Sequence, residues 1–240
     1  MNMRALSRKL ITSKRNTIDI VTSDPTIIDH WIDPRNYTDV VLDMFNNDRF
    51  YDELLGNTDD LIVIDIGANV GLFSLYIQDR AKLVYSLEPT PNHFRILQEL
   101  TAAYQNINPL NMALHHSDCD IDLFINRENS TMNSTANQYG ERVTVKGCTL
   151  AGLMDKLGVD GVDFIKCDIE GAEMLALTNE TLEPVRDRIN AFSLEVHQTD
   201  HSVSWAESVE RNRDHLVKLF IDHGFKAGKH RHDSVFALRS

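Results

Sequence analysis

Leu61-Ile-Val-Ile-Asp65-Ile-Gly67-Ala68-Asn69-Val-Gly71 is the segment from which the architecture follows. Four apolar residues run into an acid. A Gly-x-x-x-Gly turn follows, then a second apolar run, Leu72-Phe-Ser-Leu-Tyr-Ile77. That order predicts a buried parallel strand, a tight turn and the start of a helix. Glycines let a backbone pass close to a ligand, and a helix N-terminus favours anions. Residues 82–87 predict a second strand, which runs into Glu88. An acid at the tip of the second strand, roughly 20 residues after the glycine turn, is where nucleoside-binding sheets hold ribose hydroxyls. Together the two pieces describe a site for an adenosine-containing cofactor.

The dinucleotide fingerprint is Gly-x-Gly-x-x-Gly. Here Asn69 stands at the second glycine and leaves a pyrophosphate less room, and Asp65 just before the turn repels phosphate. A cationic ligand without phosphate fits better. S-adenosylmethionine is such a ligand, with a sulfonium, an amino group, a carboxylate and a ribose. A nucleotide-dependent oxidoreductase is the rival enzyme class. An ordinary strand and turn without a ligand accounts for the apolar run but not for both strand-tip acids.

A chain of 240 residues suits one α/β domain with a full core. The net charge of -12 argues against a nucleic-acid partner, because such binders carry a basic excess. Cys119, Cys148 and Cys167 are an odd number without metal-type spacing and read as free thiols in a reducing compartment. No window is apolar and long enough to span a membrane. A cytoplasmic location is therefore expected. Arg4, Arg8, Lys9, Lys14 and Arg15 precede the first acid, Asp19, with no apolar core among them. A plain basic helix or tail is expected there, ahead of a transit peptide or a membrane-surface arm.

Residues 1–60 read as an N-terminal extension that would serve as a lid over substrate or cofactor, with a helix over Val40–Phe45 packed beside the site. Residues 61–240 read as the catalytic domain. Strand and helix patterns alternate from Leu61 onward, which predicts an α/β fold with a doubly wound, mostly parallel sheet. Pro91 opens a helix at its preferred first position. Residues 108–114 are a third strand, and 121–125 with 142–148 alternate as half-exposed antiparallel strands. The polar stretch 126–140 between them is a long loop. A short helix over 149–157, strands over 162–166 and 191–196, a long amphipathic helix from Trp205 to Phe220 and a closing strand over 234–238 complete the pattern.

Four strand ends then carry polar groups: Asp65; Glu88; Asp168 with Glu170; and Glu195 with His197. Ligands of open α/β sheets bind outside the carboxyl ends of the strands, so these groups should converge. Any one of them alone is a helix cap or a surface charge. Asp163-Phe-Ile-Lys-Cys-Asp-Ile-Glu-Gly-Ala-Glu173 also crowds like charges onto one strand-to-turn junction, which stability alone does not favour. This segment, with Ile64–Gly71, Glu88-Pro89 and Glu195-Val-His197, resembles the FkbM family of S-adenosylmethionine-dependent methyltransferases over roughly residues 60–240. The resemblance implies a Rossmann-like, seven-stranded class I methyltransferase sheet with its last strand antiparallel. It also implies O-methylation of a sugar, a glycan or a related small molecule. On that resemblance Asp65, Gly67, Ala68, Asn69 and Gly71 would hold the methionine end, and Glu88 the ribose. Asn111 and Ala113 would border the adenine, and Asp168 would sit near the transferred methyl.

Methyl transfer from a sulfonium is an in-line displacement, and a sugar hydroxyl must lose its proton to attack. His197 is the expected general base, with Glu195 on the same strand face to orient it. Asp168 is the alternative base, or a partner for the sulfonium. A divalent ion is a rival use of Asp168, Glu170, Glu195 and His197, but no ligand spacing is diagnostic and none is assigned. A protein or RNA acceptor is the alternative within the same chemistry.

Overall fold

The computed structural model of the chain describes residues 7–12, 17–22, 54–56, 58–125 and 141–239. The helix expected at 40–45 and the polar loop at 126–140 lie outside them. Strand β1 (Ser7–Thr12) pairs antiparallel with β2 (Thr17–Thr22) in a two-stranded hairpin. This corrects the expected basic helix or tail. The β-branched residues of this stretch favour extended backbone over helix.

The core begins with β3 (Leu61–Ile66), helix α1 (Leu72–Ile77), β4 (Ala81–Leu87), α2 (Pro91–Thr101) and β5 (Ile107–Leu110). Pro91 stands at the start of α2, where its missing N–H leaves no bond unmade. The third strand is shorter than expected. The chain turns at Asn111-Met112, and Ala113-Leu114 form a separate strand, β6. It pairs with β8 (Glu141–Cys148), whose other side pairs antiparallel with β7 (Asp120–Ile125). This three-stranded side sheet contains the two half-exposed strands read from the sequence.

Helix α3 (Leu150–Leu157) starts where the Thr149 hydroxyl accepts the Gly152 N–H and stops at left-handed Gly158. Strand β9 (Phe164–Cys167), the short helices α4 (Glu173–Ala176) and α5 (Asn179–Leu182), and β10 (Ala191–Glu195) follow. Helix α6 (Trp205–Asp222), capped by Ser204, leads into β11 (Phe225–His230) and β12 (Ser234–Arg239). Strand β11 has no counterpart in the sequence reading, because Lys226, Gly228 and Lys229 break its alternation.

The central sheet has seven strands in the order β11-β12-β10-β9-β3-β4-β5. The block from β10 to β5 is parallel, and β12 runs antiparallel between β10 and β11. The expected doubly wound sheet and its antiparallel last strand are both present. Alternation along β3 sorts the core into two layers. Leu61 and Val63 pack with α1 and α2, whereas Ile64 and Ile66 pack with α3 and α6. The winding direction reverses between β3 and β9, which opens a crevice at their carboxyl ends. Among the described residues no helix is long and apolar enough to cross a membrane. All three cysteines are free.

Candidate active site

The crevice is built on a backbone contact. Strands β3 and β9 pair up to Ile66 and Cys167, and the Asp168 N–H donates to the Ile66 carbonyl. The next residue, Gly67, has φ 75°, and a Cβ there would lie 1.7 Å from the Asp168 carbonyl oxygen. Glycine is required by this close approach, whatever ligand the turn holds. Asn69 takes the left-handed region at φ 53°, which asparagine tolerates, and Gly71 at φ 90° precedes α1.

On the β4 side, Glu88 is buried, and both its carboxylate oxygens meet backbone. Oε2 accepts the Asn69 N–H at 2.9 Å and Oε1 the Thr90 N–H at 2.7 Å. Burial pushes the Glu88 carboxyl up to about 7, against those two hydrogen bonds. His93 on α2 stands 3.8 Å from Oε1, and burial pushes its pKa down to about 4, so it is neutral there. The Asn111 amide donates to the carbonyls of Glu88 and Pro89 and braces the same corner. Ala113 follows in β6 of the side sheet. It is buried in the side sheet with Ile121, Leu123 and Val145, because the chain leaves the central sheet at Asn111.

Asp65 is more enclosed than a strand-tip acid need be. It falls on the β3 face that looks toward α1, fully buried, and its Oδ2 accepts the Ser74 hydroxyl at 2.6 Å. The Ser74 and Ser86 hydroxyls are 2.7 Å apart, so one chain of polar groups joins β3, α1 and β4. Burial raises the Asp65 pKa, opposed by the Lys166 charge and the Ser74 bond. Asp65 Oδ1 and Asn69 Oδ1 are buried without a hydrogen-bond partner among the described residues. Buried acceptors left open in this way suit a ligand that brings donors.

The other half of the crevice gathers around His197. Its Nδ1 is 2.9 Å from Glu173 Oε1. Its Nε2 faces Glu170 Oε2 at 3.4 Å, Asp168 Oδ1 at 3.8 Å and Glu195 Oε1 at 3.8 Å. Lys166 pairs with Asp168 Oδ2 at 3.1 Å. Glu170 is in the left-handed region at φ 53°, strain of the sort that collects at functional sites. Glu173 is fully buried beneath this group, and its Oε1 also accepts the N–H groups of Ile169 and Gly171.

The sequence expectation for His197 is changed in one respect. The residue that holds Nδ1 is Glu173, whereas Glu195 lies on the Nε2 side. Burial alone would lower the imidazole pKa, but the Glu173 hydrogen bond and the surrounding carboxylates outweigh it and raise it to about 10. An imidazole in its charged form has no lone pair for an acceptor's proton. The carboxylates around it divide. Burial alone would raise Asp168, but Lys166 and His197 hold it below the usual range. Glu195, half-exposed at the mouth, is raised to about 7 by the Asp168 charge and then by burial. Burial raises Glu170 to about 8.

Helix α6 fixes this half from behind. Asn212 donates to the His197 carbonyl, and the Ser208 hydroxyl accepts the N–H groups of Thr199 and Asp200. Arg213, buried, donates to the carbonyls of Arg231, His232 and Ser234 in the β11–β12 turn. The Asp233 carbonyl in turn accepts the Val196 N–H.

The family model described as the methyltransferase FkbM domain matches residues 65–227. No curated protein matches the chain by sequence. Solved structures that resemble it include a SAM dependent methyltransferase from Aquifex aeolicus, at 13% identity and TM-score 0.49, covering 89% of this chain and 96% of that one. A precorrin-6y C5,15-methyltransferase from Geobacter metallireducens resembles it at 14% identity and TM-score 0.48, over 82% and 89% of the two chains. The magnesium protoporphyrin IX methyltransferase of Synechocystis, with bound SAM, does so at 16% and 0.45, over 90% and 92%.

Proposed function

Because the chain belongs to the FkbM methyltransferase family, we propose that it transfers a methyl group from S-adenosylmethionine to a hydroxyl of a sugar, a glycan or a related small molecule. The observation that carries this reading is the meeting of two unlike half-sites at one crevice, joined through Gly67 and Asp168. The β3–β4 half suits the cofactor. Asp65 Oδ1 and Asn69 Oδ1 are open acceptors for an ammonium group. The Glu88 oxygens, each holding one backbone N–H, keep lone pairs for two ribose hydroxyls. When bound there, S-adenosylmethionine supplies a methyl group activated by a sulfonium.

In the other half, Glu195 takes the acceptor's proton. It stands at the mouth with its pKa held near neutrality, as suits a general base. His197, held by Glu173, gives the neighbouring carboxylates a common positive partner. Asp168, ionised and next to the glycine turn, faces the sulfonium. A mouth rich in carboxylates accepts hydrogen bonds from a polyol and repels a phosphate backbone. Calorimetric titration with S-adenosylhomocysteine, with NAD as control, tests the reading. Saturable binding of the former alone supports it, and binding of neither would withdraw it.

Two further outcomes are expected at Glu88. Glu88→Ala removes up to two charge-assisted bonds to ribose, each worth roughly 1.5–3 kcal/mol, and frees two backbone donors of the turn. Affinity for S-adenosylhomocysteine should fall by about tenfold or more in the same titration, and an unchanged dissociation constant would refute the ribose role. The second concerns pH. Glu88 is protonated below about pH 7 in the free protein, and ribose hydroxyls bind its ionised form better. Affinity should therefore rise about tenfold between pH 6 and 8 and then level off, and Glu88→Gln should flatten that rise. A flat wild-type profile would mean that Glu88 binds the ribose in its neutral form or not at all.

A further inference from the structure

We propose that Asp168, Glu170 and His197 form a site for one divalent cation of the Mn2+ or Mg2+ kind. Asp168 Oδ1, Glu170 Oε2 and His197 Nε2 would be its ligands. One ligand atom from each of the three residues comes within 4.8 Å of the others. An octahedral ion with bonds of about 2.1 Å places adjacent ligands about 3 Å apart and opposite ones about 4 Å apart. The Nε2 distances of 3.4 Å to Glu170 and 3.8 Å to Asp168 fall between these values. The third pair, Asp168 with Glu170, also has ligand atoms within 4.8 Å, so a modest approach of the side chains would bring all three onto one ion. The donor set of two carboxylates and one imidazole is that of a hard to borderline cation, and the absence of thiolate excludes a soft one.

Two features beyond the ligands point the same way. Glu173 engages His197 at Nδ1, the ring nitrogen remote from the cluster, which is how a carboxylate fixes a metal-binding imidazole with Nε2 turned to the ion. Glu173 itself is fully buried, and its Oε2 has no hydrogen-bond partner among the described residues. Among the described residues, the carboxyl groups of Asp168, Glu170, Glu173 and Glu195 thus crowd around His197. Lys166 is committed to Asp168 Oδ2, which leaves Oδ1 on the His197 side. A divalent ion would displace the imidazolium proton from Nε2, bind the neutral imidazole through the freed lone pair, and hold Asp168 and Glu170 ionised.

The inference deepens the acceptor half of the proposed site and rests on that reading for its purpose. A hydroxyl oxygen bound beside the ion would lose its proton more readily. Glu195 would receive that proton as the O–H bond breaks. The oxygen's electron pair would form the new bond to the methyl carbon as the carbon–sulfur bond breaks, with its pair left on sulfur.

The test reads the cation directly. The full chain, stripped with chelator, is titrated with Mn2+ at fixed pH without cofactor or acceptor, and free Mn2+ is followed by its electron paramagnetic resonance signal. One saturable site per chain is expected, with spin-echo modulation from a coordinated nitrogen. Glu170→Gln should weaken binding at least tenfold while leaving S-adenosylhomocysteine affinity within about twofold, which shows that the variant folds. No saturable Mn2+ binding up to millimolar concentration would overturn the site. Binding that survives both Glu170→Gln and His197→Gln would also overturn it. Chain that binds S-adenosylhomocysteine but no Mn2+ loses only the cation, whereas chain that binds neither loses the methyltransferase reading as well.

Discussion

Gly67→Ala should destabilise the chain by roughly 2–5 kcal/mol, a large share of the stability of a domain. The left-handed φ of 75° is one part of this, and the overlap is the larger part. The atom that an added methyl would meet is a backbone carbonyl, so no side chain can swing aside to relieve it. Strands β3 and β9 would have to separate at their carboxyl ends, which also moves Asp168. Urea denaturation of the two proteins measures the effect. A loss under about 1 kcal/mol would show that this edge opens easily, and the two halves of the crevice would then not be held in register by the Gly67–Asp168 contact. Gly71→Ala makes a useful contrast. Its added carbon would lie 2.5 Å from Leu97 Cδ1, the end of a flexible side chain, so the penalty should be smaller despite φ 90°.

Glu195→Gln should lower turnover about 10²–10⁴-fold, the usual contribution of a general base. Half of this side chain is exposed, and glutamine has its shape, so folding should be little affected. Affinity for S-adenosylhomocysteine should stay within about twofold, because Glu195 lies on the acceptor side. Turnover is measured with labelled S-adenosylmethionine and whichever hydroxyl acceptor a glycan screen returns. Retained turnover would remove Glu195 from the chemistry and leave Asp168 as the base. Loss of turnover and cofactor affinity together would make Glu195 a structural residue.

Most of the sheet is legible in the sequence because its strands are buried on both faces. Residues 61–66 and 164–167 read as near-continuous apolar runs, and the turn residues mark their ends. The β1–β2 hairpin and β11 are harder. The first is masked by its basic charge, the second by lysines and a glycine where apolar residues would alternate. The candidate site divides along a similar line. Asp65, Gly67, Asn69, Gly71 and Glu88 announce themselves by short-range spacing around one turn. Glu173 does not, because its partner His197 is 24 residues away and the pairing exists only once α4 packs against the end of β10. The charge on His197 was hidden for the same reason. It depends on Asp168, Glu170 and Glu173, which share one turn but reach His197 only once that turn packs against the end of β10. The break of the third strand at Asn111 was equally hard to read, because a strand of this length could continue or stop there and the sequence favours neither.

The placement of β12 between β10 and β11 bears on how the enzyme is made. Strand β11 is synthesised before β12, yet among the described residues β12 is its sole neighbour in the sheet. It must therefore wait, unpaired, until the later strand has left the ribosome. The turn that joins them supplies the Asp233 carbonyl to the Val196 N–H, next to His197. The glycine turn and the Glu88 corner draw on residues 65–111, but the crevice they face is closed only when β9 brings Asp168 beside Gly67. The acceptor half is completed later still, when β12 pairs with β10 and β11, so the two halves of the crevice are finished in chain order.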